Sequence, residues 1–188
     1  MQNKKFVLLL LLLCLLVGGS AAGYRYLTSR NADTGISADS APQKITAPDF
    51  TVMSRAGEAV KLSDAFGKPL VVNFWATWCC PCKSELPAFE AAYRSYDNVE
   101  FLMVNLTDGQ RETTEIVEEF LTENGYTFPV YYDTLTSAAN AYSVYGVPVT
   151  YFIGADGTIQ NSYMGAMSGE QLTALIEALL AEEQEVLQ

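Results

Sequence analysis

The sequence of 188 residues contains no histidine and only four cysteines, and this scarcity limits the metal sites that it can form. Three cysteines lie together at Cys79, Cys80 and Cys82, whereas Cys14 lies far away in a hydrophobic segment. A structural zinc ion needs four Cys or His ligands, and the second pair of ligands is missing here. A copper site that needs a histidine ligand cannot form, because the chain has no histidine. The sequence therefore predicts no metal site.

Basic residues are also scarce, since 11 lysines and arginines stand against 22 aspartates and glutamates. All 22 acidic residues but only 7 of the basic ones lie at residues 31–188, which gives this part a formal net charge of −15. Such an acidic surface repels nucleic-acid phosphates and anionic lipid headgroups. We therefore expect no nucleic-acid partner, and we interpret the acidity as a contribution to solubility.

A long hydrophobic run occurs at the N-terminus. Residues 6–23 carry no charge, two lysines precede them, and Tyr24 and Tyr26 follow. About 20 residues of this kind suffice to cross a bilayer, with the lysines on the cytoplasmic side and the tyrosines at the outer interface. We therefore predict a signal anchor at residues 1–27, which makes the protein a single-pass protein of the cell membrane.

Two other interpretations of the N-terminus stay open. Residues 20–22 read Ser-Ala-Ala, which is similar to a signal-peptide cleavage site, and Cys14 is a candidate for lipidation. All three interpretations place the remainder of the chain outside the cytoplasm. Residues 28–47 are rich in Ser, Ala, Thr and Asp without apolar periodicity, so we predict a flexible linker there. A folded domain is predicted at residues 48–188.

The predicted domain alternates short apolar runs with segments of helical periodicity. The runs at 70–74, 99–106 and 149–153 are rich in β-branched and aromatic residues, which is typical of buried strands. A β-hairpin is predicted at 49–62, and one of the helices is predicted at 112–124. The resulting order β-β-α-β-α-β-α-β-β-α predicts an α/β fold, in which helices cover both faces of a mixed sheet.

Cys79 and Cys82 stand where the first buried strand gives way to a helix. Cysteines three residues apart in a first helical turn lie on the same side, so a disulfide between them forms easily. Unpaired N–H groups and the positive end of the helix dipole stabilise a thiolate at Cys79, and thiolates attack disulfides. We therefore predict that Cys79 attacks, that Cys82 resolves the mixed disulfide, and that this redox-active pair acts without any cofactor. Pro81 is tolerated because first-turn N–H groups have no intrahelical partner.

The same motif leaves two questions. A purely structural disulfide is disfavoured, because closing a four-residue loop gives little stabilisation through loop entropy. Cys80 lies between the two cysteines, and it is either an incidental small residue or a third thiol that is open to oxidation.

Two motifs connect the chain with a known family. Residues 73–87 read Asn-Phe-Trp-Ala-Thr-Trp-Cys-x-Pro-Cys-Lys-x-Glu-x-Pro, and residues 141–150 read Ala-Tyr-x-Val-x-Gly-Val-Pro-x-Thr. In both, the chain resembles the thioredoxin superfamily. More narrowly, it resembles the membrane-anchored, extracytoplasmic thiol-disulfide oxidoreductases of the TlpA/ResA type. The resemblance covers roughly residues 48–182 and implies a thioredoxin-like fold for them.

The resemblance implies roles for individual residues. Pro148 corresponds to a cis-proline that faces the cysteine pair, and the backbone of Val147 is then turned toward an extended substrate segment. Trp78 is implied to shield the disulfide and to shape the docking surface. Residues implied to tune the thiols or relay protons are Asn73, Pro81 and Glu85. Cys80 departs from the family's pattern, and it is a further candidate for tuning the thiols. Asn73 stands where cytoplasmic thioredoxins carry a buried aspartate.

The resemblance also implies an activity and partners. It indicates a protein disulfide oxidoreductase, acting as a reductase outside the cytoplasm, that is re-reduced by a membrane thiol carrier. Apocytochrome c is an implied substrate, since its thiols must be reduced before haem attachment. Two alternatives stay open, namely a thiol peroxidase and a redox-inactive binding module on a thioredoxin-like scaffold.

Overall fold

The computed structural model describes residues 44–186, which form one eight-stranded sheet and four α-helices. The strands are β1 (Ile45–Thr46), β2 (Thr51–Ser54), β3 (Ala59–Lys61), β4 (Leu70–Trp75), β5 (Glu100–Asn105), β6 (Val130–Tyr132), β7 (Val149–Ile153) and β8 (Thr158–Met164). The helices are α1 (Cys80–Ser95), α2 (Thr114–Asn124), α3 (Ser137–Ala141) and α4 (Gly169–Val186), and a 3₁₀ turn spans Leu62–Ala65. From α1 onward the predicted order of elements is confirmed, whereas four strands precede α1 instead of the two in the predicted order.

The sheet is mixed, and its strands follow the order β1-β8-β7-β4-β5-β6-β2-β3. β4 runs parallel to β5 and antiparallel to β7, so that Leu70 pairs with both Glu100 and Ile153. All six residues of β4 are buried. Both faces of this central strand are covered, which explains why its sequence is apolar almost throughout instead of alternating. The predicted hairpin corresponds to β2 and β3, and it joins the sheet through β6.

The helices cover both faces of the sheet, as predicted. On one face, Val71 and Trp75 pack in a core with apolar residues of α1, α2 and α4. On the other face, Val72 and Phe74 pack with α3 and with the 3₁₀ turn. Because side chains alternate along a strand, Asn73 points to the same face as Val71 and Trp75. It is a polar side chain on the face against which α1 packs.

The sheet begins before the predicted domain start at residue 48. Ile45 pairs with Ile159 and Thr46 with Thr158, although both lie in the segment that was predicted as linker. A strand of two residues is too short to show an alternating pattern, so the sequence gives no signal for it. The predicted signal anchor at residues 1–27 and residues 28–43 of the predicted linker lie outside the described residues. Within residues 44–186, none of the helices has the length and apolarity needed to cross a membrane.

The start of α2 differs from the prediction. The sequence predicted a helix from residue 112, whereas the helix begins at Thr114 and the Thr113 hydroxyl accepts the Ile116 N–H at 3.4 Å as an N-cap. Glu112 therefore lies in the preceding loop. The end of the helix is as predicted, because Gly125 adopts a left-handed conformation with a φ of 68°.

Candidate active site

The two cysteines of the predicted pair lie at the start of α1, directly after the central strand. Cys79 is the N-cap residue, and its Sγ accepts the backbone N–H of Cys82 at 3.1 Å. Cys79 and Cys82 form a disulfide, with their Cα atoms 5.2 Å apart. Cys80 is an exposed free cysteine in the same turn. The structure therefore joins the two cysteines that the sequence assigned to the redox pair and leaves the third sulfur in solvent.

The two sulfurs differ in their access to solvent. Cys79 is 5% exposed, whereas Cys82 is completely buried within the core that α1 shares with the sheet. A partner can therefore reach the disulfide only from the side of Cys79. This asymmetry matches the predicted order, in which Cys79 meets the substrate and Cys82 acts from behind it.

The loop before β7 forms the opposite wall of the site. The Val147–Pro148 peptide bond is cis, as the resemblance implies, and the carbonyl oxygen of Val147 lies 3.4 Å from Cys79 Sγ. Val147 is half-buried and Pro148 is buried. The loop thus brings a backbone segment directly against the sulfur that is open to partners.

A groove of about 470 Å³ continues from this loop. Its walls are formed by residues 142–149, by Tyr151, and by Met164 and Gly165 at the end of β8. Two of its apolar side chains are almost fully in solvent, since Tyr145 is 98% exposed and Met164 is 84% exposed. We call this feature the docking groove. Exposed apolar side chains gathered in one groove are typical of a surface that binds another chain.

Trp78 lies next to the disulfide in sequence and is 39% exposed. The guanidinium of Arg111 lies over its indole ring, with 4.1 Å between the guanidinium carbon and the ring centroid. This cation–π contact holds the ring in place. Trp78 also lines a second cavity of about 340 Å³, together with Thr107 and Asp108.

Glu85 is a buried carboxyl group one helical turn after Cys82. Burial raises the pKa of Glu85 to about 7, although hydrogen bonds from the Met167 N–H and from Asn73 act in the opposite direction. The amide nitrogen of Asn73 donates to Glu85 Oε1 at 2.9 Å and to the Thr150 hydroxyl at 2.9 Å. Asn73 Oδ1 is buried and has no hydrogen-bond partner within residues 44–186. The structure thus brings together two of the predicted tuning residues, while Pro81 and Cys80 lie exposed in the first turn of α1.

A second buried glutamate lies near the cysteine pair, and sequence reasoning missed it. Glu112 is completely buried and accepts hydrogen bonds from Thr77 and Asn105. The sequence predicted a helix over residues 112–124 and did not single out Glu112. The signals that identify its loop are Asp108-Gly109, which favours a turn, and Thr113, which favours an N-cap.

Residues 44–186 contain no cluster of three or more Cys, Asp or Glu side chains arranged to hold a metal ion.

Comparisons with known proteins identify the family. The AhpC/TSA family matches residues 44–162 of the chain. The thioredoxin-like protein YneN of Bacillus subtilis is 36% identical over 127 residues, which cover 67% of this chain and 74% of YneN. The thiol-disulfide oxidoreductase ResA of Geobacillus kaustophilus is 35% identical over 136 residues, covering 71% of this chain and 76% of ResA. The crystal structure of StoA from Bacillus subtilis superposes with a TM-score of 0.61 at 29% identity, over 69% of this chain and 97% of StoA. The chain therefore belongs to the AhpC/TSA family and, within it, to the ResA-like thiol-disulfide oxidoreductases with a thioredoxin-like fold.

Proposed function

We propose that the protein reduces disulfides of other proteins outside the cytoplasm by cycling between the Cys79/Cys82 dithiol and the Cys79–Cys82 disulfide. One observation carries the proposal. The pair lies at the N-terminus of α1 with Cys82 sealed in the core, while Cys79 contacts the backbone of Val147, which also lines the docking groove. This arrangement suits a partner that is a polypeptide, because an extended chain can lie along the groove with its own sulfur at Cys79.

The reaction is an exchange of sulfur–sulfur bonds. The Cys79 thiolate attacks one sulfur of the substrate disulfide, that bond breaks, and the departing substrate sulfur leaves as a thiolate that takes up a proton. The Cys82 thiolate then attacks Cys79 Sγ, which forms the Cys79–Cys82 disulfide and releases the second substrate thiolate. Two electrons have passed to the substrate. An external dithiol must return them before the next cycle.

Glu85 is the group that we assign to the proton of Cys82. Both residues are fully buried, and their spacing of three places them on the same face of α1. A carboxyl group with a pKa of about 7 both accepts and releases protons near neutral pH. Glu85 therefore suits the step in which Cys82 loses its proton inside the core, where water does not reach it.

The compartment and the partners belong to the same proposal. The predicted anchor at residues 1–27 holds the catalytic domain at the outer face of the cell membrane, where the surroundings are oxidising. A reductase in that place needs electrons from across the membrane, and a membrane thiol carrier is the donor that we propose. Apocytochrome c is the proposed substrate, because its paired cysteines must be reduced before haem is attached.

The docking groove predicts a difference between protein and small-molecule substrates. We expect the double variant Tyr145→Ala/Met164→Ala to lower kcat/KM for a protein disulfide by about tenfold, since two exposed apolar contacts are lost. The rate with a small aromatic disulfide should stay at the wild-type value, because such a substrate touches only Cys79. Leu135→Ala is the matched control, as Leu135 is 80% exposed and does not line the groove. Equal losses with both substrates would contradict a docking role.

The substrate can be identified by trapping. In a Cys82→Ser variant expressed in intact cells, Cys79 still attacks but the mixed disulfide is not resolved, so we expect stable adducts with the natural partners. Mass spectrometry of these adducts names the partners and the cysteine that was attacked. Adducts at the Cys-x-x-Cys-His haem sites of cytochromes support the proposed substrate. The double variant Cys79→Ser/Cys82→Ser is the control, and it gives the background of adducts formed through the exposed thiol of Cys80.

Three outcomes would contradict the proposed function. The first is a Cys82→Ser variant that forms no more adducts than the double variant. The second is consumption of peroxide by the wild-type protein at a rate that exceeds its reduction of protein disulfides, which would support the thiol peroxidase alternative. A more oxidising pair potential than that of its partners would reverse the direction of electron flow.

A further inference from the structure

The segment that leads from β4 into α1 is held from the side by a buried carboxylate. Glu112 accepts the backbone N–H of Thr77 at 2.6 Å and the Thr77 hydroxyl at 2.6 Å. The side-chain amide of Asn105 donates a third hydrogen bond to Glu112 at 2.7 Å. Both donors of Thr77 therefore end on one side chain, two residues before Cys79. Burying a carboxylate costs free energy unless hydrogen bonds compensate for the lost water, and these three hydrogen bonds supply that compensation.

The loop that carries Glu112 has a defined shape of its own. Asp108 Oδ1 accepts the backbone N–H groups of Gln110, Arg111 and Glu112 at 2.8, 2.8 and 3.0 Å. We call residues 107–113 the clamp loop. Besides Glu112, the clamp loop presents Arg111, whose guanidinium lies over the ring of Trp78. Two consecutive residues on the path to Cys79 are thus held by one loop, the first by a buried carboxylate and the second by a cation–π contact.

The position of Cys79 decides how well its sulfur is stabilised. Cys79 Sγ accepts the N–H of Cys82 at 3.1 Å because Cys79 occupies the N-cap position of α1. A hydrogen bond to an ionised acceptor is about twice as strong as one to a neutral acceptor. The same geometry therefore stabilises the reduced thiolate more than it stabilises the disulfide.

We propose that Glu112 is a positioning residue for thiol-disulfide exchange, which fixes residues 77–79 so that Cys79 Sγ keeps its N-cap position. The proposal rests on the proposed redox function of Cys79. Glu112 does not touch the reacting sulfurs, and it acts through Thr77 and the backbone that follows. Its consequence is a shift of the equilibrium of the cysteine pair toward the dithiol, together with a faster attack by Cys79.

The test is the redox equilibrium of the full chain with glutathione, in a Cys80→Ser background that removes the neighbouring thiol. We expect Glu112→Ala to lower the equilibrium constant for reduction of the pair by about tenfold, which corresponds to ~30 mV toward the disulfide. The rate at which the reduced protein attacks a small aromatic disulfide should fall as well. Glu112→Gln keeps one acceptor and should restore part of the equilibrium. Thr77→Val removes the hydroxyl donor but keeps the backbone N–H, so we expect an intermediate value.

Glu118→Ala is the matched control. Glu118 lies in α2 and accepts hydrogen bonds from Arg55 and Tyr132, neither of which belongs to the segment that leads into α1. Its removal should lower the unfolding temperature without moving the redox equilibrium. Where Glu112→Ala does not fold, Thr77→Val and Glu112→Gln decide the question. An equilibrium constant within twofold of the parent in these variants, or a shift toward the dithiol, overturns the proposal. Because glutathione is the reaction partner, the redox equilibrium of the cysteine pair can be measured even if the protein does not reduce protein disulfides.

Discussion

Cys79→Ser should lower the rate of disulfide reduction by at least about a thousandfold, because the substitution removes the nucleophile itself. Cys79 is the sulfur that a partner can reach, since Cys82 is completely buried beneath it. Cys82 therefore offers no alternative route to a protein substrate. The measurement is the steady-state reduction of a protein disulfide such as insulin, with an external dithiol as electron source.

Cys80→Ser is the matched control for this experiment. The substitution has the same chemistry, lies in the same turn of α1, and changes an exposed cysteine that takes no part in the disulfide. We expect it to keep the rate within about twofold of wild type, in line with the small effects of surface substitutions. A large loss in Cys80→Ser, or a small one in Cys79→Ser, would show that the assignment of the attacking sulfur is wrong.

Glu85→Gln should remove a pH dependence from the stability of the protein. The carboxyl pKa is about 7 in the folded protein and near 4.5 in the unfolded chain. Between these two values the folded state holds a proton that the unfolded state has lost. The stabilisation by this proton is complete below pH 4.5 and is lost as the pH rises toward 7, by roughly 3 kcal/mol in total. Above pH 7 both states are ionised and the dependence ends.

Chemical denaturation of the oxidised protein at pH 5, 6, 7 and 8 measures this effect. The difference between wild type and Glu85→Gln isolates Glu85, since all other groups titrate in both proteins. We expect the wild-type free energy of unfolding to fall relative to the variant between pH 5 and pH 7 and then to run parallel. A difference that stays constant, or that grows in favour of the wild type with rising pH, would contradict a raised pKa at Glu85.

Much of the fold follows from periodicity in the sequence. β4 and β5 are recognisable because both faces of these strands are buried, which leaves continuous apolar runs. Ser168 followed three residues later by Gln171 is a capping-box pattern, and in the structure the Ser168 hydroxyl accepts the Gln171 N–H at 3.2 Å. β1 is not recognisable, because two residues that pair at a sheet edge carry no period.

The residues of the site also differ in how far the sequence predicts them. Cys79 and Cys82 are evident from their spacing and from their position after a strand. Val147 is far from them in sequence, and a family motif, not a pattern, connects it with the pair. Neither spacing nor a family motif identifies Glu112, because its burial depends on a loop whose shape is set by Asp108. In sequence it is one of several glutamates near a helix, and only the tertiary structure separates the buried one from the others.

Because the Asn73 side-chain oxygen has no hydrogen-bond partner within residues 44–186, the Asn73 amide can turn over and reverse its hydrogen bonds. With Glu85 ionised, the Asn73 amide nitrogen donates toward both Glu85 and Thr150, and its oxygen has no donor within residues 44–186. A protonated Glu85 has a hydroxyl that needs an acceptor, and a half-turn of the Asn73 amide supplies that oxygen. Thr150 must then donate where it had accepted. Protonation of Glu85 in α1 therefore reverses the direction of the hydrogen bond between Asn73 and Thr150. Thr150 lies in β7, two residues after Pro148 in the loop that faces Cys79.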